Sequence, residues 1–308
     1  MMQKLVTLAY CLLTLSCSAQ QTIQEKLGYP KDAKLVIIHA DDLGVAHSEN
    51  AASTNALEKG SVNSASIMVP TPWMPEIAHY AVTHPGADLG LHITLTSEWR
   101  FLKWGPVTPH HLVPGLVNNQ GFFYSSVDSV RRTATTSEVE EEIRNQVRRA
   151  IQFGIDPTHL DSHMGTVFSQ LDYLKAYINV GREFKIPVFL PRLLETGLSV
   201  RLDTLITDRE VLFDHVVIAG PQHFKSGLAA FYTNALKNLQ PGLTYLIIHT
   251  AYDNDEMKAV AAGIVDWGSA WRQQDYDFFT SAECERLLKE NNIIRLTWRE
   301  IRDKITRK

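Results

Sequence analysis

The chain has 308 residues, 44% of them hydrophobic and 21% charged, with a formal net charge of −4. This is the composition of a globular protein with a sizeable core, and it gives no electrostatic case for binding nucleic acid or an anionic membrane surface. Three cysteines, Cys11, Cys17 and Cys284, leave no material for a disulfide framework or a thiolate metal site, so any metal must be held by His and carboxylates.

The stretch 1–20 stands apart. Lys4 precedes the apolar run Leu5 to Leu15, followed by Ser16-Cys17-Ser18-Ala19. A positive start, a short apolar core and a small-residue exit read as an export signal, too short for a membrane span. Cleavage after Ala19 would release a periplasmic or secreted protein. Leu15-Ser16-Cys17 also resembles a lipobox, which would leave the chain anchored to a membrane through a lipid on Cys17. Residues 21–308 are read as a single domain.

Leu35 to Ala40 is a short apolar run, which predicts a strand buried on both faces. It ends in Asp41-Asp42 and the turn residue Gly44. Side chains alternate across a strand, so these carboxylates should diverge unless the strand unwinds there. Metal ligation and a plain helix cap by Asp42 both remain open at this point. Ser48 to Lys59 predicts a helix, Ser64 to Val69 a strand, Glu76 to Val82 a helix, and Leu89 to Leu95 a strand carrying His92. The irregular stretch 96–136, rich in Gly, Pro and aromatics, predicts a long loop insertion serving as a lid or platform. Its aromatic side chains either pack the loop onto the core or offer stacking faces. Ser137 to Phe153 is the clearest helix, with Ser137 as N-cap, Glu140 closing a capping box, and Val139, Ile143, Val147 and Ala150 on the buried face. A strand over Thr158 to His163, a helix over Gln170 to Phe184 and a strand over Pro187 to Leu190, with Arg192 just beyond, follow. Phe213 to Ala219 predicts a strand, Phe224 to Leu239 a helix, and Leu243 to Ile248 a strand ending in His249. A helix near Thr280 to Asn291 and a strand over Ile293 to Leu296 end the pattern.

Alternating helical and extended patterns predict an α/β fold with a parallel sheet. Asp41, Asp42, His92, His159, Asp161, His163, Arg192 and His249 all fall within or just after an apolar strand. In a barrel of parallel strands those ends converge on one face, which predicts a shared site. Two or three His with one Asp and no thiolate suit Zn²⁺ or another divalent first-row ion. His159, Asp161 and His163 share one face of an extended segment. They cannot all ligate one ion, so some must support the ligands instead.

The segments Ala40-Asp41-Asp42-Leu43-Gly44, Gly90-Leu91-His92 and Thr158-His159-Leu160-Asp161-Ser162-His163, in this order, resemble the motifs of the YdjC-like (ChbG/HpnK) carbohydrate deacetylases. The resemblance covers most of the chain. It implies a distorted, TIM-barrel-like (β/α) barrel of mainly parallel strands, related to the polysaccharide deacetylases. It also implies a hydrolase that uses one divalent metal ion, Zn or Mg, to remove acetyl groups from N-acetylated amino sugars or glycans. Carried over, Asp42, His92 and His163 would be the metal ligands, Asp41 the general base acting on the attacking water, and His249 the general acid for the leaving amine. Arg192 is assigned to orient Asp41 through a charge-assisted hydrogen bond, and His159 and Asp161 to support the ligands. Two features depart from the pattern. Met164-Gly165-Thr166-Val167 stands where many members carry further histidines, and the export signal points to glycans or peptidoglycan fragments as substrates. A barrel hydrolase of another amide or ester bond, and a catalytically silent carbohydrate-binding relative, are the alternatives. Retention of both Asp41 and Asp42 argues against the second.

Mass spectrometry of the mature protein is expected to read Gln20 as its N-terminus. A lipid-modified Cys17 would establish the anchored form instead.

Overall fold

The computed structural model describes residues 21–308, so the stretch expected to be an export signal, with Cys11 and Cys17, lies outside the described residues. Seven strands form one sheet: β1 (Lys34–Leu43), β2 (Ser64–Ile67), β3 (Leu89–Ile93), β4 (Leu160–Ser162), β5 (His215–Ile218), β6 (Gly242–Ile248) and β7 (Ile293–Arg295). Every ladder is parallel, and the hydrogen-bonded order is β4-β3-β2-β1-β6-β5. β7 pairs with Lys34 to Val36 at the start of β1, whereas β2 joins β1 only from His39 onward. The predicted strand over Pro187 to Leu190 does not form a ladder. It contributes lone bridges, Leu160 with Val188 and Pro191 with Phe213. Those bridges link β4 to the run leading into β5 and so close the sheet into a distorted barrel.

Strand periodicity sorts the side chains into two cores. Along β1, Val36, Ile38 and Ala40 join the larger cluster between sheet and helices, while Leu35 and Ile37 join an inner cluster with Phe189, Phe213, Tyr245 and Trp298. The same alternation sends Leu91 and Leu160 outward, and it leaves His39, Ser64, Ser66, His92 and Asp161 on the inward face. The lower barrel is therefore filled by aromatic and aliphatic groups and the upper barrel by polar ones.

The long helix spans Thr136–Gln152, and its capping box is made by Thr135 and Glu138 rather than Ser137 and Glu140. Val139, Ile143, Val147 and Ala150 are all buried, as the periodicity predicts. The helix expected over Phe224 to Leu239 is two, Pro221–Ser226 and Leu228–Lys237, broken at Gly227 with φ 96°. Helices at Val127–Thr133, Asp255–Val260 and Ser269–Phe279 were not legible as apolar stripes. The insertion is pinned rather than loose. Glu142 accepts from the backbone N–H groups of Val107 and Thr108 at 2.9 Å each, and Trp99, Trp104 and Phe123 are buried, which makes them packing residues. Phe101 alone among these aromatics is largely exposed, at 70%.

Gly90 sits where β3 passes the His159 ring, and a Cβ there would overlap that imidazole. Gly90→Ala is expected to cost about 1–3 kcal/mol by overpacking. Urea unfolding checks this, with Gly86→Ala, whose Cβ meets nothing within 4 Å, as the neutral control.

Candidate functional site

The register between β1 and β2 runs His39 to Ser64, Ala40 to Ala65 and then Leu43 to Ile67, so β1 spends three steps where β2 spends two. The extra residue is a β-bulge at Asp41-Asp42, and Asp42 takes the left-handed conformation with φ 71°. In a regular strand Asp41 would point inward with His39 and Asp42 outward. The bulge turns Asp42 back, and both carboxylates line one cavity of about 460 Å³ at the C-terminal end of the barrel.

His92, Asp161, His163 and His249 line the same cavity. Asp42 Oδ1 stands 3.3 Å from His92 Nε2 and 3.1 Å from His163 Nδ1. Ligands at about 2.0–2.1 Å from a tetrahedral zinc lie about 3.3 Å from one another, so both distances from Asp42 Oδ1 match the spacing of two ligands on one ion. One ligand atom from each of Asp42, His92 and His163 lies within 4.8 Å of the others. Burial alone would lower the His163 pKa, but Glu98 and Asp42 lift it to about 9. A cation bound there would take the place of that proton. Asp161 Oδ1 meets His92 Nδ1 at 2.8 Å, which fixes the ring with Nε2 toward Asp42. His163 lies past the end of β4, where Met164 and Gly165 turn the chain at φ 51° and 62°.

Asp41 Oδ2 lies 3.8 Å from His92 Nε2 and 3.9 Å from His249 Nε2, and Asp41 Oδ1 is buried without a well-directed hydrogen bond. His249 Nε2 is 4.0 Å from Asp42 Oδ2. Burial pushes the His249 pKa down to about 4, despite the neighbouring Asp42. His159 is outside this group. It stacks on Trp298 at 4.7 Å, faces His39 edge-on, and its Nε2 has no hydrogen-bond partner.

Arg192 does not reach Asp41. Its side chain is half-exposed and pairs with Asp214 at 3.1 Å, because Arg192 shares the outward parity of Val188 and Leu190 rather than the inward parity of Phe189. The buried guanidinium of the site belongs to Arg272, on the helix Ser269–Phe279. Its Nη2 donates to Asp42 Oδ2 at 2.8 Å, its Nη1 pairs with Glu49, and its Nε donates to the Trp267 carbonyl at 2.7 Å. One turn on, Asp275 accepts from the His249 backbone N–H at 2.9 Å and from the Tyr232 hydroxyl at 2.6 Å. Glu98, from the insertion, meets His163 Nε2 at 3.0 Å. Neither Arg272 nor Glu98 carries a sequence motif. His39 shares strand parity with Asp41, which the sequence shows without showing that this parity faces inward.

Fold and site define a parallel α/β barrel with carboxylates and imidazoles gathered at its strand ends. Residues 35–290 match the model of the YdjC-like protein family. A carbohydrate deacetylase of Thermus thermophilus is 31% identical over 276 residues, covering 88% of this chain and 94% of that one. A carbohydrate deacetylase of Thermoanaerobacter pseudethanolicus is 24% identical over 270 residues, covering 85% and 96%. Among solved structures, a candidate cellobiose-phosphate cleavage protein from Enterococcus faecalis V583 superposes with a TM-score of 0.72 at 19% identity, over 86% of this chain and 98% of that one. That likeness speaks for the fold. The chain belongs to the YdjC-like family.

Removing the cation from a buried pair leaves uncompensated charge. Arg272→Met is expected to lower unfolding free energy by about 3–5 kcal/mol, measured by chemical denaturation, whereas Arg192→Met should change it by less than about 1 kcal/mol.

Proposed function

We propose that this protein is a metal-dependent carbohydrate deacetylase, exported, that hydrolyses the acetamide of N-acetylated amino sugars or glycans. One observation carries the reading: Asp42 Oδ1 is flanked by His92 Nε2 and His163 Nδ1 at ligand spacing, with a second carboxylate, Asp41, beside them, its Oδ2 3.8 Å from His92 Nε2. The carbohydrate deacetylases among the relatives support the bond and the substrate class.

Asp42, His92 and His163 would hold the ion. When bound, a divalent metal supplies Lewis-acid polarisation of the acetamide carbonyl and acidifies the attacking water. Asp41 takes the proton from that water as it adds to the carbonyl carbon. His249, neutral at rest and with its Nε2 3.9 Å from Asp41 Oδ2, takes over that proton and delivers it to the nitrogen as the C–N bond breaks, releasing acetate and the free amine. Arg272 holds Asp42 ionised and in its bulged conformation. Phe168, Phe189, Ile218 and Trp267 form the apolar wall against which a sugar face and the acetyl methyl would pack.

Purified protein is expected to release acetate from N-acetylglucosamine oligomers, and chelator should abolish the release. Asp41→Asn should lower kcat by about 10²–10⁴-fold while metal content is retained. Combined His92→Ala and His163→Ala should lose the metal. Activity surviving both chelator and Asp41→Asn would sink the mechanism, and undiminished metal binding in the double variant would sink the ligand assignment.

A further inference from the structure

His39 is fully buried beneath the site, and no step of the proposed reaction uses it. Its Nε2 stands 3.0 Å from Asp161 Oδ2, 3.2 Å from Asp41 Oδ1 and 3.0 Å from Ser66 Oγ. The Ser66 hydroxyl donates to Asp161 Oδ2 at 3.1 Å, so toward His39 it can only accept, and Nε2 must carry a hydrogen. The ring has no freedom to turn. Ser64 Oγ meets Nδ1 at 3.0 Å, Tyr245 stacks on one side at 4.8 Å, and His159 stands edge-on at 4.9 Å. His39 therefore lies between the carboxylate assigned as base and the carboxylate that orients His92. Asp161 has further partners in Ser66 and the Tyr245 hydroxyl, at 3.1 Å each, whereas Asp41 Oδ1 has no other group to meet.

We infer that His39 is a positioning residue, whose Nε2–H edge, anchored on Ser66 Oγ, lies against both Asp41 and Asp161, sets their separation and so keeps the base aligned with the ligand His92. This rests on the reading of Asp41 as the base. Burial alone would strip His39 of its charge, but the adjacent carboxylates of Asp161 and Asp41 raise its pKa to about 9, in keeping with a cation set between two carboxylates.

The test compares His39→Gln, whose amide can place an N–H near the position of Nε2, with His39→Asn, which reaches only the Ser64 side. Both are made in the full chain and assayed for acetate release with the metal present, beside Asp41→Asn. A misplacement on the order of 1 Å costs about 10²-fold, so His39→Asn should lose about that factor in kcat with KM nearly unchanged, and His39→Gln should regain at least about tenfold of it. Crystal structures of both variants give a readout independent of activity: Asp41 should be turned in the Asn variant and native-like in the Gln variant. Equal kcat in the two variants, or an unmoved Asp41 in the Asn variant, overturns the inference. If Asp41→Asn stays active, the reading of the base fails, and the crystal structures still decide whether His39 positions the carboxylate.

Discussion

A strand can send adjacent side chains only to opposite faces, and the site of this protein needs two adjacent carboxylates on the same face. The bulge at Asp41-Asp42 resolves that conflict by placing Asp42 at φ 71°, a region that disfavours side chains with a Cβ. Such a conformation is stable only where the surroundings over-determine it. Here Asp42 is tied by His92, His163 and Arg272, three contacts between 2.8 and 3.3 Å from three separate elements. Backbone irregularity and charge constellation are thus one feature. Loss of the constellation would remove the reason for Asp42 to hold its backbone as it does.

The cost of gathering so much charge in a barrel is met by imidazoles on and just past the strands and by a guanidinium from outside the sheet. Asp41, Asp42 and Asp161 sit inside the ring with Glu49 and Glu98 at its margin, against which stand Arg272 and the imidazoles of His39, His92 and His163. Arg272 arrives on a helix that packs against His47–Lys59, the helix carrying Glu49, so a single guanidinium ties two helices to the end of β1. Such a network contributes alignment more than stability, because each ion loses its hydration on entering the barrel. The fold supplies the stability elsewhere, in the apolar lower barrel and the sheet–helix layer.

Most strands and the strand-end rule were legible because most of the strands are short, largely apolar runs with a polar residue at or near their ends. Pro187 to Leu190 holds its place by lone bridges, with Phe189 inward and Val188 and Leu190 outward, so alternation carries Arg192 outward to Asp214. Arg272 was hidden for a different reason. On the helix Ser269–Phe279 the buried face includes Arg272 and Asp275 alongside Trp271, Phe278 and Phe279, so polar groups interrupt the apolar stripe that marks a helix. His39 lay in plain view inside the first strand, but a strand buried on both faces does not reveal which parity faces the barrel axis. Only the neighbouring strands, with Ser64 and Ser66 inward, decide that.

The hydrogen bonds of Asp161 also limit how many metal ions the site can take. Among the described residues, three groups have the spacing to hold an ion: Asp42 with His92 and His163, Asp41 with His92 and Asp161, and His39 with His159 and Asp161. The last two both draw on Asp161, whose Oδ1 is taken by His92 Nδ1 and whose Oδ2 meets His39, Ser66 and Tyr245. A second ion at either place would have to strip Asp161 from the partners that orient His92, and so would loosen a ligand of the first. Asp42, by contrast, offers Oδ1 to the cavity while Arg272 occupies Oδ2, and His92 and His163 both face that oxygen. The donor set therefore favours one ion over two, which separates the proposed deacetylase from barrel hydrolases built on a bridging carboxylate and a metal pair about 3.5–4 Å apart.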